Sequence, residues 1–97
     1  MSGGSHIPPT TSQKHRAFVS EPIGNRSVRD VPGIGPVQGR RLEEQGQPRA
    51  DQMVGRFLTS GRNEEQFQRT LHRDTGANAK QQRDAHQAMK EWTDNNI

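Results

Sequence analysis

Val28-Arg29-Asp30-Val31-Pro32-Gly33-Ile34-Gly35-Pro36-Val37-Gln38-Gly39-Arg40-Arg41-Leu42 reads as two short helices joined by a tight hairpin centred on Gly-Ile-Gly. Val31-Pro32 ends the first helix, because the residue before a proline is pushed out of the α region. Gly33 and Gly35 permit positive φ and let another backbone come close. Pro36 suits the first turn of the second helix, where a missing N–H costs nothing. Ile34, between the glycines, points inward and locks the turn. The amides of Gly35 and Val37 are then orphan donors at the positive end of a helix, where phosphate oxygens bind readily. Arg40 and Arg41 come one turn later. This is the pattern of a helix-hairpin-helix, a reader of the DNA backbone that ignores base sequence. A plain helical turn with glycine caps is the alternative.

At 97 residues the chain has room for one small domain. Only 26% of it is hydrophobic, against roughly 45–50% in ordinary globular chains. Such a chain buries a thin core, so part of it is disordered or it self-associates. The absence of cysteine removes disulfides and thiolate metal sites. His6, His15, His72 and His86 lack the paired spacing of a zinc site and read as solvated. No metal or cofactor is expected. No apolar run approaches the roughly 20 residues of a membrane span. The formal charge of +3 is compatible with an anionic partner.

Outward from the hairpin, residues 1–9 have a linker composition and read as a disordered extension, native or left by cloning. Residues 10–97 form the domain, with the hairpin at about 27–46. Thr11 or Ser12 can cap a short helix running to about Val19, whose large apolar residues are Phe18 and Val19. The hydroxyls of Thr10, Thr11 and Ser12, beside Lys14 and Arg16, suit phosphate contact, regulatory phosphorylation or simple capping. Ser27 caps the first hairpin helix, and Gly46 ends the second. Ala50, Met53, Val54, Phe57 and Leu58 recur at spacings of three and four, an amphipathic helix over 49–60 with Gly55 inside it. Asn63 to Gln66 resembles a capping box before a helix marked by Phe67 and Leu71 and ending near Gly76. Asn78 caps a last helix to about Asp94, with Ala85, Ala88, Met89 and Trp92 on one face. Lys80 and Arg83, three apart in its first turn, can reach one anion or form a solvated basic face. There is no strand signal. The chain is all-α.

The order of these pieces resembles the barrier-to-autointegration factor family. The carrying blocks are Thr10 to Arg16 with Phe18-Val19 and Glu21-Pro22-Ile23-Gly24, then Gly33-Ile34-Gly35 with Gly39 to Glu44, then Gly76 to Gln81 with Arg83-Asp84 and Glu91-Trp92. The resemblance covers about Thr10 to Ile97. It implies a compact five-helix, SAM-like domain that forms a two-fold homodimer and bridges two DNA duplexes without sequence preference. The family's DNA contacts fall here on Ser12, Gln13, Lys14, Gly33, Gly35, Val37, Arg40, Arg41, Asn78, Ala79, Lys80 and Arg83, and its phosphorylated hydroxyls on Thr10, Thr11 and Ser12. The dimer contact would use Val54, Gly55 and Leu58. Further implied partners are LEM-domain proteins of the inner nuclear membrane and lamin, bound across the dimer. The implied location is the nucleus, at chromatin and the envelope, and also the cytoplasm.

The chain departs from the family at Asp51, Gln52, Arg56, Thr59 and Ser60, which interrupt a more apolar helix. Thr70 stands where the family usually has tryptophan, and Asn95-Asn96 replaces an apolar end. The DNA-facing set survives while the dimer and groove surface is diluted. Three function classes remain: a non-enzymatic duplex binder and bridge, an adaptor for LEM-domain proteins with little or no DNA bridging, and a helix-hairpin-helix module of a repair protein. A base-excision enzyme needs a larger domain and a catalytic lysine or aspartate facing a base pocket, and this chain has no room for one.

Overall fold

The computed structural model describes residues 11–97, and their side chains from Gln13 onward. Among them five α-helices are present: α1 (Thr11–Val19), α2 (Pro36–Glu44), α3 (Ala50–Thr59), α4 (Glu64–Thr75) and α5 (Ala79–Asn96). No strand joins them; Ser27 and Arg49 make one isolated antiparallel bridge. Residues 1–9 and Thr10 lie outside the described residues.

The hairpin differs from expectation in its first half. Ser27 caps it, its Oγ accepting the Arg29 N–H at 3.0 Å, but the capped segment is a three-residue 3-10 turn, Val28–Asp30, not an α-helix. Val31 must leave the helical region ahead of Pro32 and does so, at φ −73° and ψ 129°. With Val31 out of the helical region and Pro32 lacking an N–H, the segment closes on i→i−3 bonds, Asp30 N–H to the Ser27 carbonyl at 3.0 Å and Val31 N–H to that of Val28 at 3.1 Å. Ile34 is buried, as the Gly-Ile-Gly reading required, and Val28 and Val31 are buried with it. α2 ends in a Schellman motif: Gln47 N–H donates to the Leu42 carbonyl at 2.8 Å and Gly46 N–H to that of Glu43 at 3.1 Å, with Gly46 at φ +79°.

The remaining helices close around one core. α3 contributes Met53, Val54 and Phe57, α4 contributes Phe67 and Leu71, and α5 contributes Ala85, Ala88, Met89 and Trp92. Phe57 and Phe67 meet edge to face at 5.5 Å between ring centroids. α1 packs along α5 through the fully buried Phe18, and Trp92 Nε1 donates to the Glu21 carbonyl at 3.0 Å to hold the loop after α1. The capping residues behave as their types dictate: the side chains of Asn63 and Asn78 accept the N–H groups of Gln66 and Gln81 at 2.7 and 2.8 Å.

One histidine corrects the solvated reading. His86 is buried, its ring 5.6 Å from that of Phe57 and 6.2 Å from that of Phe67. Burial lowers its pKa from the ordinary value. The Glu64 carboxylate at 3.8 Å pulls it back up, and Lys90 pushes it down again.

Candidate nucleic-acid interface

Three segments far apart in the chain meet at the hairpin. The Lys14 ammonium, on α1, donates to the Ile34 carbonyl at 2.8 Å. That uses one of its three donors. Burial lowers its pKa, and the carboxylate of Asp30 partly opposes the shift. On the other side the hairpin lies against the first turn of α5. Gly33, at φ +87°, sits so close that a Cβ there would overlap the Gln81 carbonyl oxygen. The glycine is thus required twice, by its backbone angle and by the approach.

Gly35 does not have the positive φ expected of it. It is the N-cap of α2, extended at φ −91° and ψ −171°. Nor is its amide an orphan: the Gly35 N–H donates to Gln38 Oε1 at 3.1 Å. Gln38 Nε2 donates onward to Gln81 Oε1 at 3.4 Å, and that oxygen also accepts the Asn78 N–H at 2.8 Å. The N-termini of α2 and α5 are therefore joined by two glutamine side chains. Each such terminus carries about half a positive charge. The amides of Val37 and Gln38 in the first turn of α2, and of Ala79 in that of α5, have no intrahelical acceptor.

The basic residues divide by what they already hold. Arg40 and Arg83 are exposed, and the neutral side chain of Gln13 is exposed beside its own contacts. Lys80 is exposed and ion-paired with Asp84 at 2.9 Å. Arg41 Nη1 donates to the Thr75 carbonyl at 2.7 Å, which caps the C-terminal end of α4. Arg41 therefore ties α2 to α4, with its remaining donors left for a ligand. Arg29, beside the hairpin, is bound by both oxygens of Glu43 at 2.8 and 2.9 Å, an arrangement that raises its pKa and lowers that of Glu43. The side chains of Thr10, Thr11 and Ser12 lie outside the described residues. Gln38 and Gln81 were not anticipated. Their signal was present, since each stands three residues after a cap, the capping-box spacing of Gly35-Pro36-Val37-Gln38 and Asn78-Ala79-Lys80-Gln81.

The expected dimer residues lie elsewhere, on α3. Val54 is 7% exposed and belongs to the chain's own core, whereas Gly55 is exposed with nothing within 4 Å of its Cβ position, and Leu58 is 37% exposed. A cleft of about 240 Å³ opens between α3 and α4, floored by Met53, Phe67 and Leu71 and rimmed by Thr59 and Thr70. Arg56, also on its wall, is held by Gln47 at 2.5 Å and by Asp74 at 2.7 Å. Burial of Asp74 opposes its ionisation, but Arg56 and Arg73 outweigh that and lower its pKa.

The comparisons agree with one another. The family described as "Barrier to autointegration factor" matches residues 9–96. Barrier-to-autointegration factor B of Xenopus laevis is 49% identical over 85 residues, covering 88% of this chain and 94% of that protein. The Homo sapiens protein is 47% identical over 85 residues, covering 88% of this chain and 96% of its own. The Drosophila melanogaster protein is 39% identical over 82 residues, covering 84% and 91%.

Proposed function

Since the chain belongs to the barrier-to-autointegration factor family, we propose that it is a non-enzymatic protein that binds double-stranded DNA through the phosphate backbone, indifferent to sequence. The observation that carries this is the convergence of two helix N-termini beside the Lys14 ammonium. Amide donors and positive helix ends fit phosphate oxygens and carry no base information. Lys14, Arg40, Arg41, Lys80 and Arg83 add the charge.

As a homodimer, formed through the exposed part of α3, the chain would present two such surfaces and bridge two duplexes. LEM-domain proteins and lamin would then bind across the dimer, in the nucleus at chromatin and the envelope. Phosphate added at Thr10, Thr11 or Ser12, beside Lys14, would repel the backbone and release the duplex.

The test is a titration of unrelated duplexes at several salt concentrations. With about four to six phosphates neutralised, affinity falls with a log–log slope of roughly −4 to −5, alike for all sequences. Gly35→Glu weakens binding to each of them. Insensitivity to salt, a strong preference for one sequence, or full binding by Gly35→Glu would refute the reading. Light scattering with and without duplex decides the dimer separately.

A further inference from the structure

We propose that Gln38 is a latch over the hairpin's phosphate-binding amides, an internal competitor that a duplex must displace; the proposal rests on the duplex-binding reading above. Pro36 has no N–H, so the donors at the tip of α2 are the amides of Gly35, Val37 and Gln38. One of these, the Gly35 N–H, is already given to Gln38 Oε1 at 3.1 Å. That oxygen stands where a phosphate oxygen would have to stand to use the same donor.

The latch closes across two helices. Gln38 Nε2 reaches Gln81 Oε1, 43 residues along the chain, at 3.4 Å. Gln81 itself is anchored, since its Oε1 accepts the Asn78 N–H at 2.8 Å and its own N–H donates to Asn78 Oδ1 at 2.8 Å. The 3.4 Å bond is the weak joint of the chain, well beyond the usual N–H···O distance of about 2.9–3.0 Å. It is where the latch opens. A phosphate oxygen, being charged, makes the stronger bond to Gly35 once the neutral amide has swung away. Binding then proceeds at the loss of both Gln38 bonds, the one from the Gly35 amide and the weak one to Gln81, and affinity is lower than the same surface would have without Gln38.

Loss of a merely structural side chain weakens binding; loss of a latch tightens it. The experiment titrates one short duplex at several salt concentrations into the wild type, Gln38→Ala and Gln38→Asn, with a thermal melt of each. Asparagine is one methylene too short to span to the Gly35 amide. Both variants are expected to bind about three- to tenfold tighter, the worth of one net hydrogen bond, with the log–log salt slope unchanged because no charge is altered. Hydrogen exchange at the Gly35 amide should quicken in the free variants. Equal or weaker binding by a folded variant overturns the latch, and if Gln38→Ala fails to fold, Gln38→Asn decides. Should neither fold, a Gly35 amide chemical shift that stays unchanged when duplex is added to the wild type overturns it, because the amide has then kept its acceptor, and a shift that moves there supports it. A wild type that binds no duplex overturns the duplex-binding reading and the latch with it, whereas a wild type that binds while the variants gain nothing overturns the latch alone.

Discussion

The ammonium of Lys14 donates to the carbonyl oxygen of Ile34 at 2.8 Å, across 20 residues of chain. One side chain thus fastens α1 to the inward-facing residue of the hairpin and holds its charge beside the hairpin's amides. Lys14→Met keeps the aliphatic stem and removes the donors. It is expected to lower stability by about 0.5–1.5 kcal/mol, the net worth of the lost hydrogen bond. It should also reduce the salt slope of duplex binding by about one. A thermal melt reads the first effect and a salt titration the second. An unchanged slope at wild-type affinity would remove Lys14 from the interface.

Two glycines should respond in opposite directions. At Gly33 an alanine Cβ meets the backbone of α5 at a φ of +87°, so Gly33→Ala should cost about 2–4 kcal/mol. At Gly55, inside α3, the Cβ position is empty to 4 Å, so Gly55→Ala should add roughly 0.5–1 kcal/mol. Denaturant melts of the two variants check both signs together.

Stability should decline in mild acid because of His86. Its folded pKa lies below the ordinary imidazole value of about 6.5. The unfolded chain therefore binds the proton first, and stability falls as pH drops below about 6.5 toward the folded pKa. The carboxylates with lowered values, Glu43, Asp74 and Asp94, add their losses only at lower pH, from the ordinary carboxylate range downward. Between about pH 6.5 and 4.5 the melting midpoint of the wild type should slope downward, and that of His86→Leu should be flatter. Parallel slopes would mean that another group controls the window.

The dimer reading turns on Leu58. It is 37% exposed on α3. Leu58→Glu should leave the helical content unchanged, since the side chain is exposed on the single chain, and should convert a dimer into a monomer by light scattering, with a melting midpoint that no longer depends on protein concentration. The monomer should still bind single duplexes but lose the ability to hold two together. A dimer that survives the substitution would place the contact away from α3.

Helix caps and buried stripes were legible without coordinates because they are local. Asn63 and Asn78 bond amides three residues ahead, and Phe67 and Leu71 share a face through helical periodicity alone. The first half of the hairpin was misread for a local reason as well. The segment from Ser27 to Pro32 matched a helical signature, but Val31 leaves the helical region and Pro32 lacks an N–H, so it closes as a 3-10 turn. His86 was misread because a polar side chain on a helix does not announce whether two phenylalanines from other helices will cover it.

Sequence by itself determined an all-helical chain with Ile34 buried between two glycines and Pro36 opening the next helix, because φ restrictions, caps and periodicity act over a few residues. Tertiary structure alone decided that Gly33 abuts the Gln81 carbonyl, that Arg41 is engaged by Thr75, and that Gln38 covers the Gly35 amide while reaching Gln81. The long-range contacts join residues 34 and 43 positions apart. Which partner a side chain finds at that range depends on how the helices pack, and the packing is set by the whole core at once.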